Sequence, residues 1–88
     1  MTTLVLSGNE LGDEGATAIA SALHGNTTLT KLELDFNHVG PAGAAALGDA
    51  LRVNTALTKL VLWRNNLDQA AKNALTAAWN GRSDGLQL

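Results

Sequence analysis

The segment LTKLELDFNHV, residues 29–39, returns 28 residues later as LTKLVLWRNNL, residues 57–67. A looser copy opens the chain, and residues 1–28 match 29–56 at about 12 of 28 positions, where chance gives about two. Leu4, Leu32 and Leu60 align, as do Leu6, Leu34 and Leu62, then Asn9, Asn37 and Asn65, then Leu11, Val39 and Leu67. A fixed period of this length means one supersecondary unit used repeatedly, each copy burying its apolar face on the next. The units run over about 1–28, 29–56 and 57–84 of one domain spanning residues 1–88.

Each unit changes its own periodicity. Leu-x-Leu puts both leucines on one side of a short strand. Gly12-Asp13-Glu14-Gly15, Gly40-Pro41-Ala42-Gly43 and Leu67-Asp68-Gln69 then carry helix-start residues: glycines, a first-turn proline, and acids suited to the positive end of the helix dipole. Helical spacing follows in Ile19, Ala22 and Leu23, in Leu47, Ala50 and Leu51, and in Leu75, Ala78 and Trp79. Ala18, Ala46 and Ala74, with Ala22, Ala50 and Ala78, are expected to let each helix lie close to its strand and to the next unit. The repeated asparagine stands where the chain leaves the strand, and its amide can satisfy the backbone groups that the turn strands.

These blocks resemble leucine-rich repeats, LxxLxLxxNxL. Their 28-residue length and G-x-x-G-A-x-x-(I/L)-x-x-A-L helix are similar to the ribonuclease-inhibitor-like subclass, found also in intracellular NOD-like receptors and the activator of the Ran GTPase. The resemblance implies an α/β fold: a right-handed βα leucine-rich-repeat solenoid with parallel strands on the concave face and helices on the convex face. It also implies a non-enzymatic module that binds a protein. GTPase activation is a weaker implication, because no loop residues of that activator can be matched here. The third unit departs from the pattern, with Asp68 for Gly12 and Gly40, Ala71 for Gly15 and Gly43, and Trp79 for Leu23 and Leu51. Asn80-Gly81 ends its helix, and Leu86 to Leu88 is expected as a truncated fourth strand, two residues ahead of the period, covering the end of the stack.

Chemistry is sparse. Six Lys and Arg residues dispersed among eight acids, for a net charge of −2, offer no basic face for nucleic acid. No apolar run approaches the ~18 residues of a membrane span, and residues 1–6 lack a signal peptide's basic start. The chain has no cysteine, which excludes disulfides and thiolate metal sites and suits a cytoplasmic setting. His24 and His38 fall at different positions of their units, with no converging ligands for a metal. No phosphate loop, serine elbow or enclosed carboxylate pair is visible, so no cofactor and no catalytic residue is expected.

What varies between units is therefore informative. Residues alternating with the buried leucines face away from the core and stack into columns: Thr3, Lys31, Lys59; Val5, Glu33, Val61; Ser7, Asp35, Trp63; Gly8, Phe36, Arg64. The scaffold repeats and this face does not. Lys31, Glu33, Asp35, Phe36, Lys59, Val61, Trp63 and Arg64 are the candidate partner-binding surface. Aromatics and arginine dominate binding energies, and two of the three aromatics lie here. Phe36 has a second reading, folded inward at the strand end; Trp79, in a leucine column, reads as packing. The first unit begins at its strand, which leaves Met1, Val5 and the Ile19 side of its helix as an open end. That end invites a homodimer through exposed repeat ends or strand edges, and a structural role in array assembly is the alternative to partner binding.

Overall fold

Each leucine pair forms a short strand: β1 (Thr3–Val5), β2 (Lys31–Glu33) and β3 (Lys59–Val61). A helix follows each: α1 (Gly12–Gly25), α2 (Pro41–Val53) and α3 (Gln69–Trp79), and β4 (Leu86–Gln87) ends the chain. The computed structural model describes residues 3–88, so Met1, expected at the open end, lies outside the described residues. The strands form one parallel sheet in the order β1-β2-β3-β4. Thr3 pairs with Lys31 and Lys31 with Lys59, which is the 28-residue register of the repeat, while Leu60 pairs with Leu86, two residues short of it. This is the expected βα solenoid.

The core lies between sheet and helices. Leu32, Leu34, Leu60, Leu62, Leu47 and Leu75 are fully buried. The alternating Glu33 is only half-buried, as a strand with one wet face requires. Trp79 is 3% exposed and donates its indole Nε1 to the Ser83 carbonyl, so it packs and caps the third unit.

The small-residue expectation needs correction. Ala18, Ala22 and Ala74 are exposed and Ala46 only half-buried, whereas Ala16, Ala20, Gly43, Ala44, Gly48 and Ala71 are buried. A Cβ on Gly43 would sit 2.9 Å from that of Ala16 and 2.8 Å from the Asp13 carboxylate, so this position faces the preceding helix. Helices in contact turn their small residues toward each other, and the apparent alanine column at 18, 46 and 74 lies on the outer surface. Ala50 and Ala78 are buried as expected; Ala22 is not, because no coil precedes α1 among the described residues.

Asp13 stands in the first turn of α1 as expected, and it also acts on the next helix. Its Oδ1 accepts from the backbone N–H of Gly40 (2.7 Å) and Gly43 (2.9 Å), so α1 supplies the cap that α2 lacks. Asp68 caps α3 from within, accepting from the Ala71 N–H at 2.8 Å. Asp13→Ala is expected to lower unfolding free energy by about 1 kcal/mol in urea titration, the usual worth of an N-cap, although Asp13 lies in another helix.

Candidate functional site

The turn after each strand fixes what the concave face displays. Asn37 is fully buried and donates Nδ2 to the carbonyls of Leu6 (2.8 Å) and Asp35 (3.1 Å), while its Oδ1 accepts from the N–H of Asn9 (2.8 Å) and, at 3.4 Å, of Leu11. Asn65 repeats this one coil on, donating to Leu34 and Leu62 and accepting from Asn37 and Val39. The amides form a ladder that pins each turn to the one before it. In these turns the residue before each repeated asparagine takes a left-handed backbone, Gly8 at φ 72° before Asn9, Phe36 at 59° before Asn37 and Arg64 at 58° before Asn65, and Glu10 and His38 just after the first two asparagines do the same. Glycine holds this conformation freely, but a bulky side chain does so at a cost of about 1–2 kcal/mol.

Phe36 and Arg64 thus stand outward in a strained conformation. Phe36 is 50% exposed, which settles its two readings in favour of display, and Trp63 is 49% exposed. The Arg64 guanidinium sits over the Phe36 ring, 5.3 Å from its centroid. Lys31 is exposed beside half-buried Lys59, Glu33 and Asp35, and Asp35 Oδ1 accepts from Ser7 Oγ at 2.7 Å. Val61 departs from the expected surface: it is 2% exposed. Its short branched side chain lies in register between Glu33 and Gln87, both longer, so it presents almost nothing to a partner.

The helix-C-terminal edge carries a second ladder that the expected sites omitted. Asn54 donates Nδ2 to the Leu23 and Asn26 carbonyls, each at 2.8 Å, and accepts from the N–H of Ala56 and Leu57. Arg82, 28 residues on, takes over the same carbonyls of the next coil: Leu51, through Nη2, and Asn54, through Nη1 at 2.7 Å. It also reaches the carbonyls of Leu57 and Trp79 and lies 4.9 Å from the Trp79 ring centroid. Burial lowers its pKa, yet a guanidinium remains charged at physiological pH. The signal was present in the sequence, as NTTL at 26–29 and NTAL at 54–57, but the third copy hides it by substituting arginine. A groove of about 410 Å³ lies here, lined by Leu51, Thr55, Trp79 and Arg82 among others, and most of the Arg82 donors are already committed to backbone carbonyls. Among the described residues no acid–histidine cluster could hold a metal, and no helix is long and apolar enough to cross a membrane.

The pattern described as "Leucine Rich repeat" matches residues 1–20 and 25–48, half of the chain. The chain belongs to the leucine-rich-repeat family. Among solved structures, its leucine-rich-repeat fold is similar to that of a chain titled "Leiomodin-1 Actin-Binding Site 2 (ABS2)", with a TM-score of 0.80 at 28% identity. That match covers 98% of this chain and 50% of the other, so the repeats described here span half its length. No curated protein sequence matches.

Proposed function

We propose that this leucine-rich-repeat arc is a non-enzymatic module that takes a protein partner on its concave face. The contacts are assigned to Lys31, Glu33, Asp35, Phe36, Lys59, Trp63 and Arg64, with residues 1–88 acting as one binding unit and Val61 as packing beneath them. One observation carries the reading: two bulky residues, Phe36 and Arg64, hold a left-handed backbone that Gly8 adopts without strain. Strain kept at a displayed position marks a site where the side chain is worth more than the stability lost. Half-exposed Trp63 beside them supplies the large apolar area of a binding hot spot. Actin is the first candidate partner, on the likeness to the leiomodin-1 actin-binding site. We assign the chain further to the ribonuclease-inhibitor-like subclass and a cytoplasmic setting, a reading supported by the 28-residue unit with its glycine-alanine helix and by the lack of cysteine.

The test is titration of labelled monomeric actin with wild type, with Trp63→Ala/Arg64→Ala, and with Phe36→Gly. The double variant is expected to weaken binding by at least ~30-fold, about 2 kcal/mol. Phe36→Gly should weaken it too while leaving thermal stability unchanged or raised, because the backbone strain is released. Equal binding by all three proteins would overturn the surface assignment, and no binding by wild type would overturn actin. Acceleration of nucleotide hydrolysis by a small GTPase, lost in Arg64→Ala, would contradict the non-enzymatic reading.

A further inference from the structure

The charges on the concave face are sorted rather than mixed. Lys31 and Lys59 pair in register across β2 and β3, and Glu33 and Asp35 follow on the same side of the sheet at steps of two residues. Like charges directly opposite one another destabilise a sheet. No carboxylate relieves the lysine pair, since among the described residues neither lysine forms an ion pair. The flanking positions of their row are Thr3 and Gly85, the residue before Leu86, so no acid stands beside them in the sheet.

The acids are equally unmatched. Val5 and Val61 lie in register with Glu33, and Asp35 has Ser7, whose hydroxyl donates to its Oδ1, on one side and Trp63 on the other. Arg64, the cation at this end of the face, turns its guanidinium to the Phe36 ring. A surface that serves only solubility intersperses its two signs. Unpaired bands of opposite sign are instead what a partner with the complementary bands neutralises.

We propose, resting on the reading of this face as the binding surface, that the partner enters it as an extended segment of defined charge order. An acidic residue lies over Lys31 and Lys59, a basic residue two positions on lies over Glu33 and Asp35, and an apolar residue two further on packs against Trp63. The spacing selects the extended form. Displayed residues of β2 lie about 7 Å apart, twice the strand rise, which is the i,i+2 distance of another extended chain, whereas a helix offers neighbours at about 5–6 Å. The direction follows from the two ends of the face, with lysines at the strand starts and half-exposed Phe36 and Trp63 at the strand ends. Opposed bands of this kind reject a segment of the inverse order more than they tighten the right one.

Fluorescence anisotropy at low salt tests this with two short labelled peptides: glutamate-serine-lysine-serine-leucine, and the same peptide with glutamate and lysine exchanged. The two share composition and charge, so unspecific attraction is equal for both. Wild type is expected to bind the first at least about tenfold more tightly. Lys31→Glu/Lys59→Glu should abolish the preference. The fourfold exchange Lys31→Glu/Lys59→Glu/Glu33→Lys/Asp35→Lys, whose net charge is still −2, should invert it. None of the four side chains is buried, so both variants should keep the wild-type circular dichroism. A wild type that takes both peptides alike, or neither up to about 1 mM, or a preference that Lys31→Glu/Lys59→Glu leaves intact, would overturn the proposal. None of these outcomes touches the face as a binding surface, which the Trp63→Ala/Arg64→Ala titration with actin decides separately.

Discussion

Asn37→Leu is expected to remove about 2–3 kcal/mol of unfolding free energy. The leucine is similar in size and more apolar, so burial alone would predict no loss. The loss arises because the Asn9 N–H, and at longer range the Leu11 N–H, lose the Asn37 Oδ1 as acceptor, while the Leu6 and Asp35 carbonyls each lose one of two donors and keep Asn9 Nδ2 and the Gly8 N–H. An N–H left in a part-buried place without its partner costs roughly 1–3 kcal/mol. A chain of this length has about 4–13 kcal/mol in total, so the variant loses a large share of it. Asn9→Leu is the matched control. Asn9 occupies the same position of its unit but is exposed, and its amide serves only Leu6 and Ser7 of its own coil. It should cost below about 1 kcal/mol. Urea denaturation of the pair reads the difference, and equal costs would show that the ladder between coils carries no stability.

The second large effect is expected at Arg82. Arg82→Met keeps an apolar stem against Trp79 but strips the carbonyls of Leu51, Asn54, Leu57 and Trp79 of their guanidinium donors. Water can replace part of this at a half-buried site, so a loss of about 2–3 kcal/mol is expected rather than the full sum. Arg82→Lys should recover little, since an ammonium cannot span carbonyls on separate elements as the planar fork does. Melting followed by the fluorescence of Trp79 in a Trp63→Phe background should show a lower transition for both variants. A lysine variant as stable as wild type would mean that charge at the helix ends, not the fork geometry, closes the tail.

Much of the scaffold was legible because repetition averages out local ambiguity. A single Leu-x-Leu is weak, but Leu4/Leu6, Leu32/Leu34 and Leu60/Leu62 at one spacing define strand, register and inward face together. The early return of Leu86 gave the fourth strand for the same reason. What stayed hidden were effects that depend on neighbours in space. Asp13 reads from the sequence as an acid beside the dipole of its own helix, and only the stacking reveals that its carboxylate reaches Gly40 and Gly43. Val61 reads as displayed by parity, but parity gives direction and not depth, and longer side chains flank it. The outer alanines at 18, 46 and 74 misled because alanine serves both as a close-packing residue and as a plain helix former on a surface. Left-handed Phe36 and Arg64 could have been suspected from Gly8 in the same column, since a glycine there signals the backbone demand that its partners must also meet.

The central claim is that alternate residues of each strand face opposite sides of the sheet, with leucines dry and the variable residues wet. The chain has no cysteine, so single-cysteine variants at Lys31, Leu32, Glu33, Leu34 and Asp35 report this without interference. Thiol labelling under native conditions should alternate, with positions 31, 33 and 35 reacting at least ~100-fold faster than 32 and 34, whose modification must wait for rare opening of the fold. Uniform rates along the strand, or protection at 33 and 35 with rapid labelling at 32 and 34, would contradict it.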